Sequence, residues 1–218
     1  MTSMKIDFVS DISCPWCAIG LSALEQALAQ LEGEVQASLH FQPFELNPDM
    51  APGGQDIGEH LHQKYGSSPE QQAQVRETIR QRGAAVGFEF NPAGRGRIYN
   101  TFDAHRLLHW AGQEAPAAQH RLKKALLQAC HRDGQSMDRP EVLLQAVTEA
   151  GLDTARAAAI LASDTHATEV REQEAFYTGH GIRSVPAVVI NDRHLISGGQ
   201  PPEVFEQALR QIAAESQG

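Results

Sequence analysis

The sequence predicts an α/β fold in which a β-α-β unit near the amino end and a β-β-α unit near the carboxyl end flank a large all-α insertion domain. Three observations predict this arrangement. Short apolar runs with strand character occur near both ends of the chain, and a helical repeat of leucines joins the first two of them. The stretch from about 57 to 177 carries helical periodicity with little strand signal.

The amino-terminal unit consists of two strands and a helix. Residues 5–10 (KIDFVS) form a short apolar run typical of a strand. Leucines at helical spacing then predict an amphipathic helix to about Gly33, with Gly20 marking a bend or a close contact. Residues 35–44 (VQASLHFQPF) alternate as a second strand, and the Gly- and Pro-rich residues 49–58 indicate a linker. The repeating leucines are Leu21, Leu24, Leu28 and Leu31.

Turn signals divide the central and carboxyl-terminal parts of the chain into predicted helices and strands. Glycine and proline clusters at 66–69, 87–96, 112–116 and 134–140, together with Gly151, divide the central helical stretch. Strands are predicted at 187–190 (AVVI) and 194–197, separated by a turn, and a helix runs from about 202 to 214. The predicted boundaries are therefore 1–50 for the first part of the α/β domain, 51–175 for the α-helical insertion, and 176–218 for the second part.

The run Cys14-Pro15-Trp16-Cys17 ends the first predicted strand and opens the first predicted helix. A bond between cysteines this close constrains the unfolded chain little, so catalysis explains the pair better than stabilisation. Pro15 suits the first helical position, which places Cys14 at the N-cap. There its sulfur can accept hydrogen bonds from the backbone N–H groups of Trp16 and Cys17 near the positive end of the helix dipole. The pattern predicts a Cys14 thiolate that attacks and a more buried Cys17 that resolves the mixed disulfide.

The alternatives for the cysteines are two packed side chains or half of a zinc site. A tetrahedral zinc site needs about four ligands, and a second Cys-x-x-Cys or His pair is missing, so no metal is predicted. The third cysteine, Cys130, is predicted to be a buried small hydrophobe, with a regulatory thiol as the alternative.

Composition excludes several classes of partner. The chain has 218 residues, with 27 acidic against 18 Lys and Arg residues, and a net charge of −9. This charge argues against nucleic acid or an anionic membrane as the partner. The first ten residues show no secretory signal, and no apolar run approaches the roughly 20 residues of a membrane helix. Together with the odd number of cysteines, these features predict a cytoplasmic protein.

The two units and the cysteine pair resemble the DsbA branch of the thioredoxin superfamily. The resemblance rests on Cys14-Pro15-Trp16-Cys17, the helical insertion, and Val185-Pro186 at the start of the third predicted strand. Three further segments are similar to the FrnE-like subgroup of cytoplasmic DsbA-family proteins, so the resemblance covers nearly the whole chain. They are 44–48 (FELNP), 100–107 (NTFDAHRL) and 197–201 (SGGQP).

The resemblance implies a thioredoxin-like fold and dithiol-disulfide oxidoreductase or isomerase activity without a bound cofactor. It implies that Pro186 is cis and faces the disulfide, leaving the backbone of Val185 free to pair with a substrate peptide. Pro15 and Trp16 are expected to complete the substrate-binding surface beside Cys14. The expected partners are disulfide-containing proteins or small thiols, with glutathione as a redox partner or cosubstrate; nucleic acid and membrane are not expected.

Two other functions stay open at this point. Kappa-class glutathione transferases and 2-hydroxychromene-2-carboxylate isomerases share this architecture but typically carry serine where this chain has Cys14. A glutathione-dependent transferase or isomerase acting on a small molecule is therefore the enzymatic alternative. A chaperone-like module that binds unfolded peptides is the non-enzymatic alternative.

Resolution by Cys17 requires a proton acceptor, and a buried carboxylate acting through water would serve. Asp7 is the leading candidate, because it lies in the first predicted strand and roughly matches an acidic residue of thioredoxin and DsbA. Glu45 and Asp11 are alternatives, and a charged group on the solvent side of the sheet is the simpler explanation of Asp7. His105 is predicted to be a helix cap or a packed imidazole rather than an active-site group.

Overall fold

A four-stranded mixed sheet and the helix that carries the cysteine pair organise the fold, which a computed structural model describes for residues 1–215. In chain order the elements are β1 (Thr2–Ser10), α1 (Pro15–Gln30), β2 (Val35–Pro43), β3 (Gln55–Asp56), α2 (Ile57–Tyr65), α3 (Pro69–Ala85), β4 (Arg97–Ile98), α4 (Phe102–Glu114), α5 (Pro116–His131), α6 (Pro140–Glu149), α7 (Thr154–Leu161), α8 (Ala167–Gly179), β5 (Ala187–Ile190), β6 (His194–Ser197) and α9 (Pro202–Glu215).

The sheet has the strand order β2-β1-β5-β6. β1 lies at its centre, pairs in parallel with β2 and pairs antiparallel with β5, which in turn pairs antiparallel with β6. The parallel pair joined by α1 and the antiparallel pair followed by α9 confirm the predicted β-α-β and β-β-α units. Because β1 is central, the loop that follows it lies at the middle of one end of the sheet.

The helical segment confirms the predicted periodicity and differs from the prediction in three details. β3 and β4 pair as a small second sheet, with Gln55 opposite Ile98. Strands of two residues are too short to show alternation, so the sequence pattern missed them. A further break separates α7 from α8, where His166 has a φ of 66°. The predicted boundary after residue 175 falls inside α8.

The sheet and the insertion share one core. Met4, Ile6 and Phe8 of β1 belong to the same cluster of buried apolar side chains as Cys14 and Cys17, and this cluster continues into α4, α5, α6 and α7. A smaller cluster around Val9 covers the other face of β1. Helix α1 contacts α9 on one side and α3 and α5 of the insertion on the other. The helix that carries the cysteines is therefore packed directly against the insertion.

Within residues 1–215, no helix combines the length and the apolar character needed to cross a membrane.

Candidate active site

Cys14 and Cys17 lie at the amino end of α1, as predicted. Cys14 is the N-cap residue and Pro15 is the first helical residue. Both cysteines are free thiols and both are buried, Cys14 to 4% exposure and Cys17 to 0%. Two turn hydrogen bonds hold this start of the helix, from the Cys14 N–H to the Asp11 carbonyl at 3.2 Å and from the Cys17 N–H to the Cys14 carbonyl at 3.1 Å.

The two thiols have pKa values shifted in opposite directions. The pKa of Cys14 is lowered, chiefly because the Cys17 thiol donates a hydrogen bond to its sulfur; burial opposes this effect. The pKa of Cys17 is raised well above its usual value, first by burial and then by the neighbouring Cys14. This asymmetry favours Cys14 as the thiolate and Cys17 as the thiol, which are the states that a nucleophile and a resolving thiol require.

The hydrogen bonding of the Cys14 sulfur differs from the sequence prediction. The Cys14 side chain forms no complete capping hydrogen bond in the described structure, whereas the sequence predicted that its sulfur would accept from Trp16 and Cys17. The backbone N–H groups of these two residues still lower the pKa of Cys14, because they lie close to the sulfur.

The Val185–Pro186 segment faces Cys14. The peptide bond between these residues is cis, which confirms the expectation from the family resemblance. The Cys14 thiol donates a hydrogen bond to the Val185 carbonyl, with 3.6 Å between Sγ and O. Pro186 is buried and Val185 is half-buried. A Cys14 thiolate cannot donate, so ionisation of Cys14 frees the Val185 carbonyl for another donor.

Gly20 explains how α1 approaches this segment so closely. A Cβ at Gly20 would lie 2.9 Å from Cγ of Pro186 and 3.3 Å from Cα of Gly199. The predicted role of Gly20 as a point of close packing is confirmed, and the packing partner is the cis-proline ring beside the active site.

We expect Gly20→Ala to destabilise the fold by about 1–2 kcal/mol. Alanine gains up to about 1 kcal/mol of helix propensity, but overpacking a filled site costs typically about 1–3 kcal/mol. Pro186 has a rigid ring and yields little, so the clash outweighs the gain. Chemical denaturation measures the change, and Gly179→Ala, at a position where a Cβ meets nothing within 4 Å, is the matched control. A Gly20→Ala protein at least as stable as wild type would contradict the assignment.

Asp7 lies away from the thiols. Its carboxylate accepts a hydrogen bond from Gln42 at 2.6 Å and pairs with Lys5 at 2.9 Å. Side chains alternate along a strand, and Ile6 and Phe8 already face the core that contains the cysteines. Asp7 therefore points to the opposite face of the sheet. The structure corrects the prediction that Asp7 is the proton acceptor. A residue one position earlier or later in β1 would face the core that contains the cysteines.

Glu45 is buried but belongs to a different cluster. Its side chain is 2% exposed and is paired with Arg171 of α8, which also binds Glu174 at 2.7 Å. Burial and the charge of Glu174 raise the pKa of Glu45 to about 7. The ion pair of Glu45 runs to Arg171 of α8, so the structure does not join it to the thiols as a proton acceptor.

Asp11 is the buried carboxylate of the active-site loop. Its side chain accepts hydrogen bonds from the N–H groups of Ser13 at 3.1 Å and Leu46 at 2.8 Å, and from the Thr101 hydroxyl at 2.8 Å. Nε2 of His105 lies 3.5 Å from the same carboxylate. Burial alone would raise the pKa of Asp11, but its contacts with His105 and the backbone lower it below the usual value. His105 is 2% exposed, which confirms the packed imidazole of the two predicted roles, and it lies beside the loop carboxylate.

Side chains of the insertion also bind Ile12 and Ser13, the two loop residues between Asp11 and Cys14. Arg95 donates to the Ser13 carbonyl at 2.9 Å, and its second terminal nitrogen is 3.1 Å from Sγ of Cys130. His131 bonds the Ile12 carbonyl at 2.8 Å. Cys130 is 2% exposed and burial raises its pKa, which confirms the prediction of a buried hydrophobe. Contacts from the insertion therefore fix three consecutive residues before Cys14.

Lys123 is the ionisable group that the sequence analysis missed. It lies on α5 and is 1% exposed. Burial lowers its pKa to about 8, and Cys17 is the group that opposes this shift most. Nothing in the sequence distinguishes Lys123 from its neighbour Lys124. By contrast, Thr101 and His105 lie in the 100–107 segment that carried the family resemblance, so that segment could have pointed to them.

Comparison with known proteins decides the family. The sequence model of the family described as DSBA-like thioredoxin domain matches residues 5–210. The chain belongs to this family. The probable DsbA oxidoreductase SCO1869 from Streptomyces coelicolor is 34% identical, with a TM-score of 0.88 over 97% of this chain and 91% of that chain.

Two further proteins are similar to this chain at lower sequence identity. The uncharacterised protein YwbO of Bacillus subtilis is 26% identical over 208 residues, which are 95% of this chain and 96% of YwbO. The cytosolic disulfide reductase DsbM of Pseudomonas aeruginosa, solved with GSH, is 16% identical with a TM-score of 0.62 over 95% of this chain and 98% of that chain. DsbM shares the fold of this DSBA-like protein. The narrower FrnE-like resemblance stays a prediction.

Proposed function

We propose that this DSBA-like protein is a dithiol-disulfide oxidoreductase that reduces or rearranges disulfides through Cys14 and Cys17. The opposite pKa shifts of the two thiols carry the proposal. A lowered pKa increases the thiolate fraction of Cys14, and a raised pKa keeps Cys17 protonated until Cys14 has reacted. The contact between Cys14 and the Val185 carbonyl supports it, because substrate bound along this backbone would lie beside the attacking sulfur.

In the proposed first step, the Cys14 thiolate attacks one sulfur of the substrate disulfide. A bond forms between Cys14 and that sulfur, the substrate S–S bond breaks, and the other substrate sulfur leaves as a thiolate that takes a proton from solvent. In the second step Cys17 loses its proton and attacks Sγ of Cys14. The Cys14–Cys17 disulfide forms and the remaining substrate sulfur leaves as a thiolate. The substrate gains two electrons, and the protein dithiol is oxidised.

Rearrangement uses the same intermediate. If a thiol of the substrate attacks the mixed disulfide before Cys17 does, Cys14 leaves as a thiolate and the substrate keeps a new disulfide. We propose disulfide-containing proteins or small thiols as partners and a reducing compartment as the setting. Two glutathione molecules can return the oxidised pair to the dithiol, forming glutathione disulfide. The glutathione in the DsbM structure makes this donor the first to test.

The test is reduction of insulin disulfides with dithiothreitol as the electron source, followed by the turbidity of the released chains. We expect wild type to accelerate precipitation and Cys14→Ser to return the rate to the uncatalysed value, since a hydroxyl is not ionised at neutral pH. Cys130→Ala is the matched control and should retain activity, because Cys130 is buried with a raised pKa. A wild-type protein with intact thiols that leaves the rate unchanged would contradict the proposal. Glutathione-dependent turnover of a small molecule that survives Cys17→Ser would favour the transferase alternative.

A further inference from the structure

Arg95, in the loop between α3 and β4, connects the insertion to the residue before Cys14. Its Nη2 donates a hydrogen bond to the Ser13 carbonyl at 2.9 Å, and its Nη1 lies 3.1 Å from Sγ of Cys130. The Ser13 carbonyl belongs to the peptide unit that joins Ser13 to Cys14, and a peptide unit is rigid and planar. The guanidinium is therefore separated from the attacking sulfur only by this peptide unit and the Cys14 side chain.

The positive charge of Arg95 is not neutralised by the protein. A guanidinium stays charged at every pH at which a protein is folded. Its two partners are neutral, because one is a backbone carbonyl and the other is a buried thiol with a raised pKa. Across residues 1–215 no carboxylate lies within ion-pair distance of Arg95. The side chain is partly exposed, and the two contacts use only part of its fork of N–H donors, so donors remain for a ligand.

The nearest acidic residue of the same loop, Asp11, does not take this role. Its carboxylate already accepts from the N–H groups of Ser13 and Leu46 and from the Thr101 hydroxyl. A carboxylate that is bound on several sides has little capacity left for a further donor. Arg95 is thus a cation beside the active-site loop whose natural counter-ion would come from a bound molecule.

The segment that carries Arg95 concentrates positive charge. Residues 69–98 contain five arginines against three glutamates, although the whole chain has a net charge of −9. Arg76 of α3 packs on the same loop, since a Cβ at Gly94 would lie 2.8 Å from Cδ of Arg76 and 3.9 Å from its Nη1. Local positive charge in an acidic protein raises the concentration of anions at this place.

We propose that Arg95 is a specificity-determining residue that binds a carboxylate of the substrate, so that disulfides with a carboxylate near the S–S bond are preferred. This inference rests on the proposed function. The reaction itself is unchanged: Cys14 bonds to one substrate sulfur, the S–S bond breaks, and the other sulfur leaves as a thiolate that takes a proton from solvent. Arg95 gives up no proton. Its charge offsets the repulsion between the substrate carboxylate and the Cys14 thiolate, and its planar fork matches a carboxylate.

The experiment compares two chromogenic disulfides in stopped flow with the reduced protein. Dithiobis(nitrobenzoate) carries a carboxylate on each ring, whereas dithiodipyridine is uncharged at neutral pH. The phase that depends on reagent concentration reports attack by Cys14, and the ratio of the two rate constants cancels any change in the thiolate fraction of Cys14. We expect Arg95→Gln to lower the rate constant for dithiobis(nitrobenzoate) about fivefold, the effect of one partly exposed ion pair. The rate constant for dithiodipyridine should stay within about twofold of wild type.

Three variants separate charge from loop structure. Arg95→Gln removes the charge but keeps an N–H donor for the Ser13 carbonyl. Arg95→Lys keeps the charge and should restore most of the wild-type ratio. Arg97→Gln removes a cation two positions later, whose guanidinium bonds the Gly53 and Gly54 carbonyls at 3.0 and 2.8 Å. It is the matched control and should leave both rate constants close to wild type.

Each outcome bears on a different claim. If Arg95→Gln leaves the ratio unchanged, whether both reactions slow equally or neither slows, Arg95 does not select the substrate and the proposal is overturned. If wild type with intact thiols releases only one chromophore per reagent molecule, dithiol cycling fails, which contradicts the proposed function itself. If Arg95→Gln does not fold, wild type decides through salt: the ratio must fall as sodium chloride is raised, because salt screens the attraction. A ratio that stays constant or rises would overturn the role of Arg95.

Discussion

Replacing Cys17 by serine is expected to abolish disulfide turnover and to leave Cys14 bound to its substrate as a mixed disulfide. Cys14 can still attack, because a serine hydroxyl can donate the hydrogen bond by which the Cys17 thiol lowers the pKa of Cys14. No sulfur remains within reach to resolve the product, since the third cysteine, Cys130, is buried with a raised pKa. Non-reducing electrophoresis and mass spectrometry of the trapped species measure the effect and identify the substrate.

Cys17→Ala tests whether the Cys17 thiol lowers the pKa of Cys14. Alanine removes both the resolving sulfur and the hydrogen bond to Cys14, so the pKa of Cys14 should rise by about one unit relative to Cys17→Ser. The pH dependence of alkylation of Cys14 by iodoacetamide reports this pKa. Equal alkylation profiles for the two variants would show that the Cys17 thiol is not what lowers the pKa of Cys14. Wild-type turnover by Cys17→Ser would show a monothiol reaction and contradict the proposed function.

Asp11→Ala is expected to lower the free energy of unfolding by about 3–5 kcal/mol, the range seen when one partner of a buried charged network is removed. The change leaves the N–H groups of Ser13 and Leu46 and the Thr101 hydroxyl without their acceptor in a buried region, and it removes the carboxylate beside His105. Asp11→Asn keeps one acceptor oxygen and should cost less, about 1–3 kcal/mol. Chemical denaturation at neutral pH measures both losses.

The pH dependence of this loss gives a second check. The pKa of Asp11 is lower in the folded state than its ordinary value of 3.8. The carboxylate therefore stabilises the fold above that ordinary value, and its contribution is lost as the pH falls through the lowered pKa. The difference between wild type and Asp11→Asn should shrink in acid. Asp133→Ala, which removes an exposed ion pair with Arg132, is the control and should cost no more than about 1 kcal/mol. If Asp11→Ala lowers the free energy of unfolding no more than Asp133→Ala does, the Asp11 hydrogen-bond network does not stabilise the fold as expected.

Local sequence patterns predicted the elements that build the site. The strands at 187–190 and 194–197 and the start of the last helix at Pro202 lie where the pattern placed them. Cys14 at the N-cap and Pro15 at the first helical position follow from residue chemistry over four positions. The cis bond before Pro186 came from the family resemblance, because a single sequence does not distinguish cis from trans proline.

The position of buried charge could not be predicted in the same way. Asp7 looked suitable for proton transfer, but strand alternation turns it to the far face, while Asp11, four residues later, lies in the loop under the cysteines. The partners of Asp11 come from the loop after β2 and from the start of α4, as far as residue 105. Their approach depends on how the insertion docks on the sheet, and no local pattern encodes that arrangement.

The sequence by itself determined the chemistry of the pair, because strand, N-cap, proline and spacing are local features that bring two sulfurs to one helix terminus. The tertiary structure alone decided which charges act on that pair. Lys123 and Lys124 are identical in type and adjacent in sequence, yet Lys123 is 1% exposed and the side chain of Lys124 is 49% exposed beside Glu25. The rotation of α5 about its axis when it packs on α1 makes this difference, since burial depends on contacts between residues more than a hundred positions apart.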